Sequence, residues 1–454
     1  MIELIIMQKL FTGKKVTIMG LGLHGGGLGA ARFFCAQGAK VLITDLKTKD
    51  QLQESLKKIK GFDIEFRLGG HDVADFIKTD LVIKNPAVPA GSPYLKIARE
   101  NNVEVDTDMN LFFKLCNVPI IGVTGTKGKS TVATLAYEMI KTKYRDSILA
   151  GNIGVSPLEI LSKISSDSKV VLELSSFGLD DLTKSPNVAV VTNIYPDHLD
   201  RYASMEEYIE SKKLIFKYQT KNDILILNYD DEQVRRFGDI APSTTYFFSR
   251  DKKVNGCYCQ GKSIFFNNEF VCNIEDLNIQ GEHNVSNILC SILVAKLLDV
   301  PNKKIEKVIR SFKGVPHRQE LIATKKGVKY INDTAATMPE AVIQALRTFG
   351  RVILIAGGQN KGLDYNELVG EIKGHVKTLI LLPGTASEKI KNGLSGTGLK
   401  IVEVSTMEEA VMKGSKLAVK NDVVLLSPGA ASFNLFQNEF DRGEQFVKYV
   451  KKIR

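Results

Sequence analysis

The sequence predicts an α/β protein with three domains and mostly parallel sheets. Its length of 454 residues corresponds to about three domains at roughly 150 residues each. Apolar runs of strand length alternate with helix-like runs, and two glycine-rich turns each follow a strand, a pattern typical of α/β folds. The chain is 44% hydrophobic and 25% charged, as expected for a globular protein and unlike a disordered or collagen-like one.

The sequence carries no signal for a membrane or for secretion. Its longest apolar runs, such as 188–194 and 423–426, are far shorter than the ~20 residues of a membrane helix. The first ten residues include Glu3 and Lys9 and lack the basic region and cleavage site of a secretory signal. The six cysteines form no Cys-x-x-Cys pair, so we interpret them as buried thiols. We therefore expect a cytoplasmic protein without membrane insertion.

A net charge of +10 indicates anionic partners. The densest basic runs, at 47–60 and 303–307, lack interleaved aromatic residues, which is typical of solvent-facing helix surfaces. We therefore expect no nucleic-acid partner and favour phosphorylated small molecules as ligands.

The first domain is predicted over residues 1–114. Residues 15–45 contain a strand, a glycine-rich turn, a helix and a second strand, which together form a βαβ unit. The turn at 20–25 matches Gly-x-Gly-x-x-Gly, and Asp45 ends the second strand. Such a turn lets backbone N–H groups approach a diphosphate, and the carboxylate can accept a hydrogen bond from a ribose or base. The motif alone is weak, so a nicotinamide dinucleotide and a turn without a ligand both remain open.

The second domain is predicted over residues 115–314 and carries a sharper motif. Between the strand at 118–124 and a helix-like run, the chain contains Gly-x-x-Gly-Lys-Ser, a phosphate-binding loop. Its consecutive backbone N–H groups cradle phosphate, Lys129 can reach the β and γ oxygens, and Ser130 can bind Mg²⁺.

Two polar clusters follow the next strands of this domain. Glu173 ends a strand near 170–174, and Asp197 and His198 follow a strand near 188–193. Ligands in α/β sheets collect at the carboxyl ends of the strands, so we expect these side chains to converge on the phosphate loop. Carboxylate and imidazole groups there suit a divalent cation that bridges phosphate oxygens.

The third domain is predicted over residues 315–454, with strands near 329–332, 352–356, 378–382 and 423–427.

Taken together, these motifs resemble the Mur ligase family, the ATP-dependent amide ligases of peptidoglycan-precursor synthesis, from about Lys15 to the C-terminus. The resemblance implies a Rossmann-like N-terminal domain, a P-loop ATPase-type central domain with a mostly parallel sheet and a Rossmann-like C-terminal domain. The residues that match the family's ATP contacts are Gly125, Thr126, Lys127, Gly128, Lys129, Ser130, Thr131, Asn284, Asn287, His317, Arg318 and Asp333. Those that match its Mg²⁺ ligands are Ser130, Glu173, His198 and Lys212, with Lys212 carbamylated. The resemblance implies that Lys129, Glu173, His198 and Lys212 are the catalytic residues.

Within the family, the likeness is greatest to the members that add D-glutamate. It rests on residues 20–25 with 45–47, on 172–179 and on 427–433. The positions that match contacts to the UDP-substrate are Leu23, His24, Asp45, Lys47 and Asn152. Those that match contacts to glutamate are Asp197, Thr337, Lys361 and Ser432.

The resemblance implies a monomeric enzyme that uses ATP and Mg²⁺ to join D-glutamate to UDP-N-acetylmuramoyl-L-alanine, as part of cell-wall synthesis, cell shape and cell division. Two departures concern the glutamate pocket: Ala335 stands where many relatives have lysine, and the aromatic residue of the stretch 437–440 is displaced by one position. The alternatives are the same reaction with L-glutamate, a folylpolyglutamate-type ligase, a catalytically silent nucleotide-binding protein, and a nicotinamide-dependent oxidoreductase with a P-loop appendage.

Overall fold

The computed structural model describes residues 10–21, 26–86, 88–89, 91–153, 155–196, 202, 204–277, 279, 281–360, 363–432 and 435–453. The chain forms two compact units, Met1–Phe312 and Lys313–Arg454. The first unit contains two sheets and the second contains one. The predicted α/β class with mostly parallel sheets is confirmed.

The first sheet has five parallel strands in the order β3-β2-β1-β4-β5. The strands are β1 (Lys15–Met19), β2 (Lys40–Asp45), β3 (Ile64–Leu68), β4 (Leu81–Lys84) and β5 (Glu104–Thr107). The helices are α1 (Gly26–Ala36), α2 (Gln53–Lys57), α3 (Ala74–Ile77), α4 (Pro93–Glu100) and α5 (Asp108–Leu115). Because the strand order reverses between β1 and β4, their carboxyl ends border the crevice at which α/β sheets bind ligands.

The second sheet has nine strands in the order β14-β13-β12-β11-β10-β9-β6-β8-β7, and β6 pairs with β8 and β9. The strands are β6 (Ile120–Thr124), β7 (Ile148–Gly151), β8 (Val170–Glu173), β9 (Val188–Val191), β10 (Ile224–Asn228), β11 (Thr244–Ser249), β12 (Gly256–Gln260), β13 (Ser263–Phe266) and β14 (Glu269–Asn273). The helices are α6 (Lys129–Lys141), α7 (Pro157–Ile160), α8 (Ser176–Leu179), α9 (Met205–Lys213), α10 (Glu232–Arg235), α11 (Glu282–Leu297) and α12 (Asn302–Ser311). Strands β6, β8 and β9 are buried along their whole length, which is why they read as continuous apolar runs.

The third sheet has six strands in the order β15-β16-β20-β17-β18-β19, parallel except for the β15–β16 pair. The strands are β15 (Glu320–Lys325), β16 (Val328–Asn332), β17 (Val352–Gly357), β18 (Val376–Leu382), β19 (Lys400–Glu403) and β20 (Val423–Leu426). The helices are α13 (Pro339–Phe349), α14 (Asn366–His375), α15 (Thr385–Gly393), α16 (Met407–Leu417) and α17 (Glu439–Lys452). Across the part of the chain that the structure describes, no helix is both long and apolar enough to cross a membrane.

The two sheets of the first unit are joined by helix packing. Helix α1 approaches the start of α7 so closely that a Cβ atom on Gly29 would lie 2.1 Å from the Cβ of Ser156. Arg32 on α1 also forms an ion pair with Glu159 on α7, at 2.9 Å. Buried side chains from both domains, including Leu28 and Leu158, belong to one continuous hydrophobic core. The first unit therefore behaves as a single packed body.

In the second unit, the fully buried Arg442 of α17 joins two loops. Its guanidinium donates to Thr334 Oγ1 at 2.9 Å, to the Thr334 carbonyl at 2.9 Å and to the Ala430 carbonyl at 3.0 Å. Burial lowers the pKa of Arg442 to about 10, so the side chain is still charged at neutral pH. The loop after β16 and the loop after β20 are thus held by one side chain.

We predict that Arg442→Ala lowers the free energy of unfolding by about 3 kcal/mol or more, because buried carbonyl groups lose their donors. Urea denaturation of the full chain measures this loss. The matched control is Arg347→Ala, since Arg347 is half exposed in its ion pair with Glu371 and an exposed pair contributes at most about 1 kcal/mol. Equal losses for the two variants would contradict the role of Arg442.

Candidate active site

The predicted phosphate loop lies between β6 and α6 and requires glycine at two positions. Gly125 and Gly128 have φ values of 139° and 83°, in the region that favours glycine. A Cβ atom on Gly125 would lie 2.0 Å from Thr192 Oγ1, and one on Gly128 would lie 2.3 Å from Asn287 Oδ1. The loop is therefore packed against the end of β9 on one side and the first turns of α11 on the other.

Hydrogen bonds within the loop place its charged side chain over the backbone. Lys129 Nζ donates to the carbonyls of Gly125 at 3.0 Å and Thr126 at 2.9 Å. Lys129 is also the first residue of the 13-residue helix α6, followed by the buried Ser130. Backbone N–H groups and the helix dipole at such a terminus favour an anion such as phosphate. The Lys129 side chain is half-buried in the structure and is not fully exposed to solvent.

Glu173 lies next to this loop because it ends β8, which pairs with β6, the strand that leads into the loop. On its other side β8 pairs with β7. Gly151 has a φ of 95°, and a Cβ there would lie 2.3 Å from the Glu173 carbonyl oxygen. This close approach lets Asn152 donate its backbone N–H to that carbonyl at 2.9 Å and its side-chain amide to Glu173 Oε1 at 3.3 Å.

The second carboxylate oxygen of Glu173 is buried and has no hydrogen-bond partner among the described residues. An unpaired buried carboxylate oxygen is unfavourable unless a cation or water contacts it, so the residues present fit a divalent cation. No group of three or more His, Cys, Asp or Glu side chains suited to a metal occurs among the described residues. His198 and Asp197 lie outside those residues.

Lys212 reaches the same end of β6 from helix α9. Its side chain is 2% exposed, and Nζ lies 3.4 Å from Thr124 Oγ1 and 5.1 Å from the centroid of the Tyr208 ring. The Tyr208 hydroxyl lies 3.1 Å from Thr126 Oγ1 in the phosphate loop. The structure therefore brings Lys212, Glu173 and the phosphate loop together, although they are far apart in sequence.

Asn284 and Asn287 lie in the first turns of α11, and Asn287 Nδ2 is 3.4 Å from Asn284 Oδ1. The contact of Gly128 with Asn287 places this pair beside the phosphate loop.

Lys127 is exposed at the tip of the loop, where its N–H donates to Asn193 Oδ1 at 2.8 Å. Thr131 follows in the first turn of α6.

In the first sheet, Asp45 stabilises the turn at the end of β2. Its carboxylate accepts the N–H groups of Leu21 and Lys47, each at 2.9 Å. Asp45 is buried, whereas the Lys47 side chain is exposed. Leu23 and His24 lie outside the described residues.

The sequence reasoning missed two residues at this crevice. Asp108 Oδ2 and Asn85 Nδ2 lie 3.5 Å and 3.9 Å from the position of a Cβ atom on Gly26, the first residue of α1. Burial raises the pKa of Asp108 to about 6. Their positions in the sequence could have indicated them, because Asn85 and Asp108 directly follow the ends of β4 and β5.

In the second unit, three neighbouring strands, β16, β20 and β17, end side by side. The Gly429 N–H donates to the Ala336 carbonyl at 2.8 Å, and Gln359 and Ala431 exchange backbone hydrogen bonds at 2.9 Å and 3.0 Å. These bonds join the loop that carries Thr337, the loop that precedes Lys361 and the loop that carries the buried Ser432. Lys361 itself lies outside the described residues.

Asp333 begins the first of these three loops. Its carboxyl group accepts a hydrogen bond from Ser427 Oγ at 2.7 Å and from the Gln319 N–H at 3.1 Å. Burial raises the pKa of Asp333 to about 7, although Ser427, Gln319 and the Arg318 charge oppose the shift. The carboxyl group is therefore partly protonated at neutral pH.

His317 precedes this loop and has a left-handed φ of 67°. Its Nδ1 lies 3.1 Å from Asn332 Nδ2, and its ring contacts Phe440 edge to face. Arg318 is exposed.

Comparisons with known proteins extend these observations over the whole chain. Family models match at residues 14–107 (Mur ligase MurD-like, N-terminal domain), 123–295 (Mur ligase middle domain) and 317–429 (Mur ligase, glutamate ligase domain). The chain is 40% identical to the UDP-N-acetylmuramoylalanine--D-glutamate ligase of Roseiflexus sp. (strain RS-1), with 97% of this chain and 99% of that protein covered. It is 36% identical to the enzyme of the same name from Clostridioides difficile (strain 630), with coverage of 97% and 99%.

A solved structure supports the fold. The UDP-N-acetylmuramate-alanine ligase of Thermotoga maritima superposes with a TM-score of 0.61 at 20% identity, over 97% of this chain and 99% of that one. At this identity the likeness concerns the fold alone. Together with the full-length relatives and the phosphate loop at the end of β6, the matches show that this chain belongs to the Mur ligase family, whose members are ATP-dependent amide-bond ligases.

Proposed function

We propose that this protein joins D-glutamate to the alanine carboxylate of UDP-N-acetylmuramoyl-L-alanine during peptidoglycan-precursor synthesis. The observation that carries the proposal is the convergence of the phosphate loop, Glu173 and Lys212 at the carboxyl end of β6. The choice of substrates is supported by full-length relatives that are named for the D-glutamate reaction.

The chemistry requires a carboxylate to be activated before an amine can attack it. A carboxylate oxygen attacks the γ-phosphorus of ATP, which forms an acyl phosphate and releases ADP. The amino group of glutamate then attacks the acyl carbon, the C–O bond breaks, phosphate leaves and the amine loses a proton. We assign to Lys129 and the loop N–H groups the stabilisation of the phosphoryl group during the first step.

We propose that Mg²⁺ is held by Ser130, Glu173, His198 and a carbamylated Lys212. When bound, the ion cancels part of the phosphate charge that would repel an incoming carboxylate. The buried oxygen of Glu173, which has no hydrogen-bond partner in the part of the chain that the structure describes, supports this assignment. Lys129, Glu173, His198 and Lys212 are accordingly the proposed catalytic residues, and His198 can also orient the incoming amine.

The remaining assignments divide by ligand. For ATP we propose Gly125, Thr126, Lys127, Gly128, Ser130, Thr131, Asn284 and Asn287 in the first unit and His317, Arg318 and Asp333 in the second. For the UDP-substrate we propose Leu23, His24, Asp45, Lys47 and Asn152. For glutamate we propose Asp197, Thr337, Lys361 and Ser432, whose hydroxyl, ammonium or carboxylate groups complement its charges.

The domain boundaries and the cellular setting are part of the same proposal. We place the domains at 1–114, 115–314 and 315–454, which is supported by the end of α5 at Leu115 and by the division of the chain after Phe312. We propose a cytoplasmic location, because the reaction consumes ATP, and a monomer, as the family resemblance implies.

The direct test is phosphate release by the full chain with ATP, Mg²⁺ and UDP-N-acetylmuramoyl-L-alanine, with D-glutamate and L-glutamate supplied in turn. We expect turnover with the D isomer and at least about 100-fold lower kcat/KM with the L isomer, since a displaced carboxylate would lose charge-assisted hydrogen bonds. Equal turnover with both isomers would contradict the proposed specificity. No turnover with either isomer would contradict the proposed function.

The carbamate on Lys212 gives a second prediction. The reaction of the amine with CO2 gives an anionic carbamate and a proton, and its oxygens are ligands that Mg²⁺ prefers. Lys212→Ala should therefore lower kcat by at least about 100-fold, with partial rescue by acetate or formate. The neighbouring Lys213→Ala is the control, because Lys213 pairs with the exposed Glu210 and should be dispensable. Wild-type activity in Lys212→Ala would contradict the metal assignment.

A further inference from the structure

An ion pair between a buried lysine and a partly exposed aspartate, whose side chain is 28% exposed, links the N-terminal and central domains within the first unit. Lys84, the last residue of β4, is 4% exposed, and its Nζ lies 2.6 Å from Oδ2 of Asp181 in the central domain. A buried lysine requires such a partner, because an uncompensated charge away from water is strongly unfavourable. The pair therefore favours a short separation between the two segments that carry it.

A second contact holds the same segment of the central domain. Asn110 Oδ1 on α5 accepts hydrogen bonds from the N–H and from Oγ1 of Thr183, each at 2.9 Å. Asn110 is itself fixed, because its side chain donates to Asp106 Oδ1 at 2.7 Å and its backbone N–H donates to Thr107 Oγ1 at 3.1 Å. Residues 181–183 are thus attached at two points to the N-terminal domain.

A short segment of chain connects residues 181–183 to Glu173 beside the phosphate loop. Leu174, which follows Glu173, donates its N–H to the Val123 carbonyl in β6 at 2.9 Å. Ser175 caps α8 by accepting the Gly178 N–H at 3.2 Å, and α8 ends two residues before Asp181. Asp181 is therefore joined to the strand end that carries Glu173 by a short segment with regular hydrogen bonds.

On the other side of the ion pair, Lys84 lies at the crevice of the first sheet. It is paired in register with Met19 of β1 and is followed by Asn85, whose N–H donates to the Met19 carbonyl at 2.9 Å. Gly20, the first glycine of the proposed UDP turn, contacts Asn85, since a Cβ on Gly20 would lie 3.0 Å from the Asn85 Cβ. The ion pair thus connects the two sites that the reaction must bring together.

We propose that Lys84 and Asp181 are positioning residues for phosphoryl transfer. Their ion pair sets the separation between the crevice that holds the UDP-substrate and the strand end that carries Glu173, so that the substrate carboxylate meets the γ-phosphate. This inference rests on the proposed function. Reacting atoms must approach to about 3–3.5 Å, and a misplacement of about 1 Å can lower the rate about 100-fold.

The test compares Lys84→Ala, Asp181→Ala and the exchanged pair Lys84→Asp with Asp181→Lys in the phosphate-release assay. Each single variant should lower kcat by about 10-fold to 100-fold, with the KM for ATP within about twofold of wild type because the phosphate loop is unchanged. The exchanged pair should regain part of the lost kcat, which a purely local packing defect would not allow.

The matched control is the pair Arg32 and Glu159, which joins the same two domains at a distance of 2.9 Å through α1 and α7. Arg32→Ala and Glu159→Ala should leave kcat within about twofold of wild type, because Arg32 is partly exposed whereas Lys84 is buried. A control pair that lowers kcat as much as Lys84→Ala would overturn the inference.

Folding is checked by thermal denaturation of each variant. Should Lys84→Ala fail to fold, Lys84→Arg provides the second measurement, since it keeps the charge but changes the separation, and it should fold and still lower kcat. Wild-type kcat in the folded Lys84 and Asp181 variants overturns this inference alone. A wild-type protein without turnover instead contradicts the proposed function and removes the inference with it.

Discussion

Close backbone approach at Gly125, Gly128 and Gly151 is the constraint on which the rest of the central site depends. At each position a Cβ atom would lie within 2.3 Å of a neighbouring atom, in the residue after β9, in α11 or in β8. Real Cβ contacts are not this short, so a side chain at any of these positions would require a shift, which at Gly151 involves the backbone of β8 itself. Because the three segments can meet, the phosphate loop and Glu173 lie side by side at the carboxyl ends of the paired strands β6 and β8.

Buried cations hold separate segments together between the first two domains and within the second unit. Lys84 joins the first two domains through Asp181, and Arg442 joins two strand-end loops through backbone carbonyls and Thr334. Each is costly to bury and is stabilised only in a particular geometry. We therefore expect Lys84 and Arg442 to contribute mainly to the specific arrangement of the segments that they join.

The sequence predicted the parts of the site that have a local signature. The phosphate loop with Lys129 and the strand end at Glu173 follow from spacing and hydrophobic pattern, and the structure brings them together. Edge strands such as β3 and the antiparallel β12–β14 extension were missed, because their burial is partial or alternating. Lys84 and Arg442 resemble any charged residue in an apolar run or an amphipathic helix. Their roles arise from long-range contacts that no local pattern carries.

The central claim is that ATP activates the substrate carboxylate and that glutamate then displaces phosphate. The most direct measurement uses UDP-N-acetylmuramoyl-L-alanine labelled with ¹⁸O in its alanine carboxylate, with mass analysis of the phosphate released in the complete reaction. Because the carboxylate oxygen that attacks the γ-phosphorus leaves with phosphate, one ¹⁸O atom should appear in each phosphate formed. Phosphate that carries no ¹⁸O would show that water attacks ATP and would contradict the mechanism.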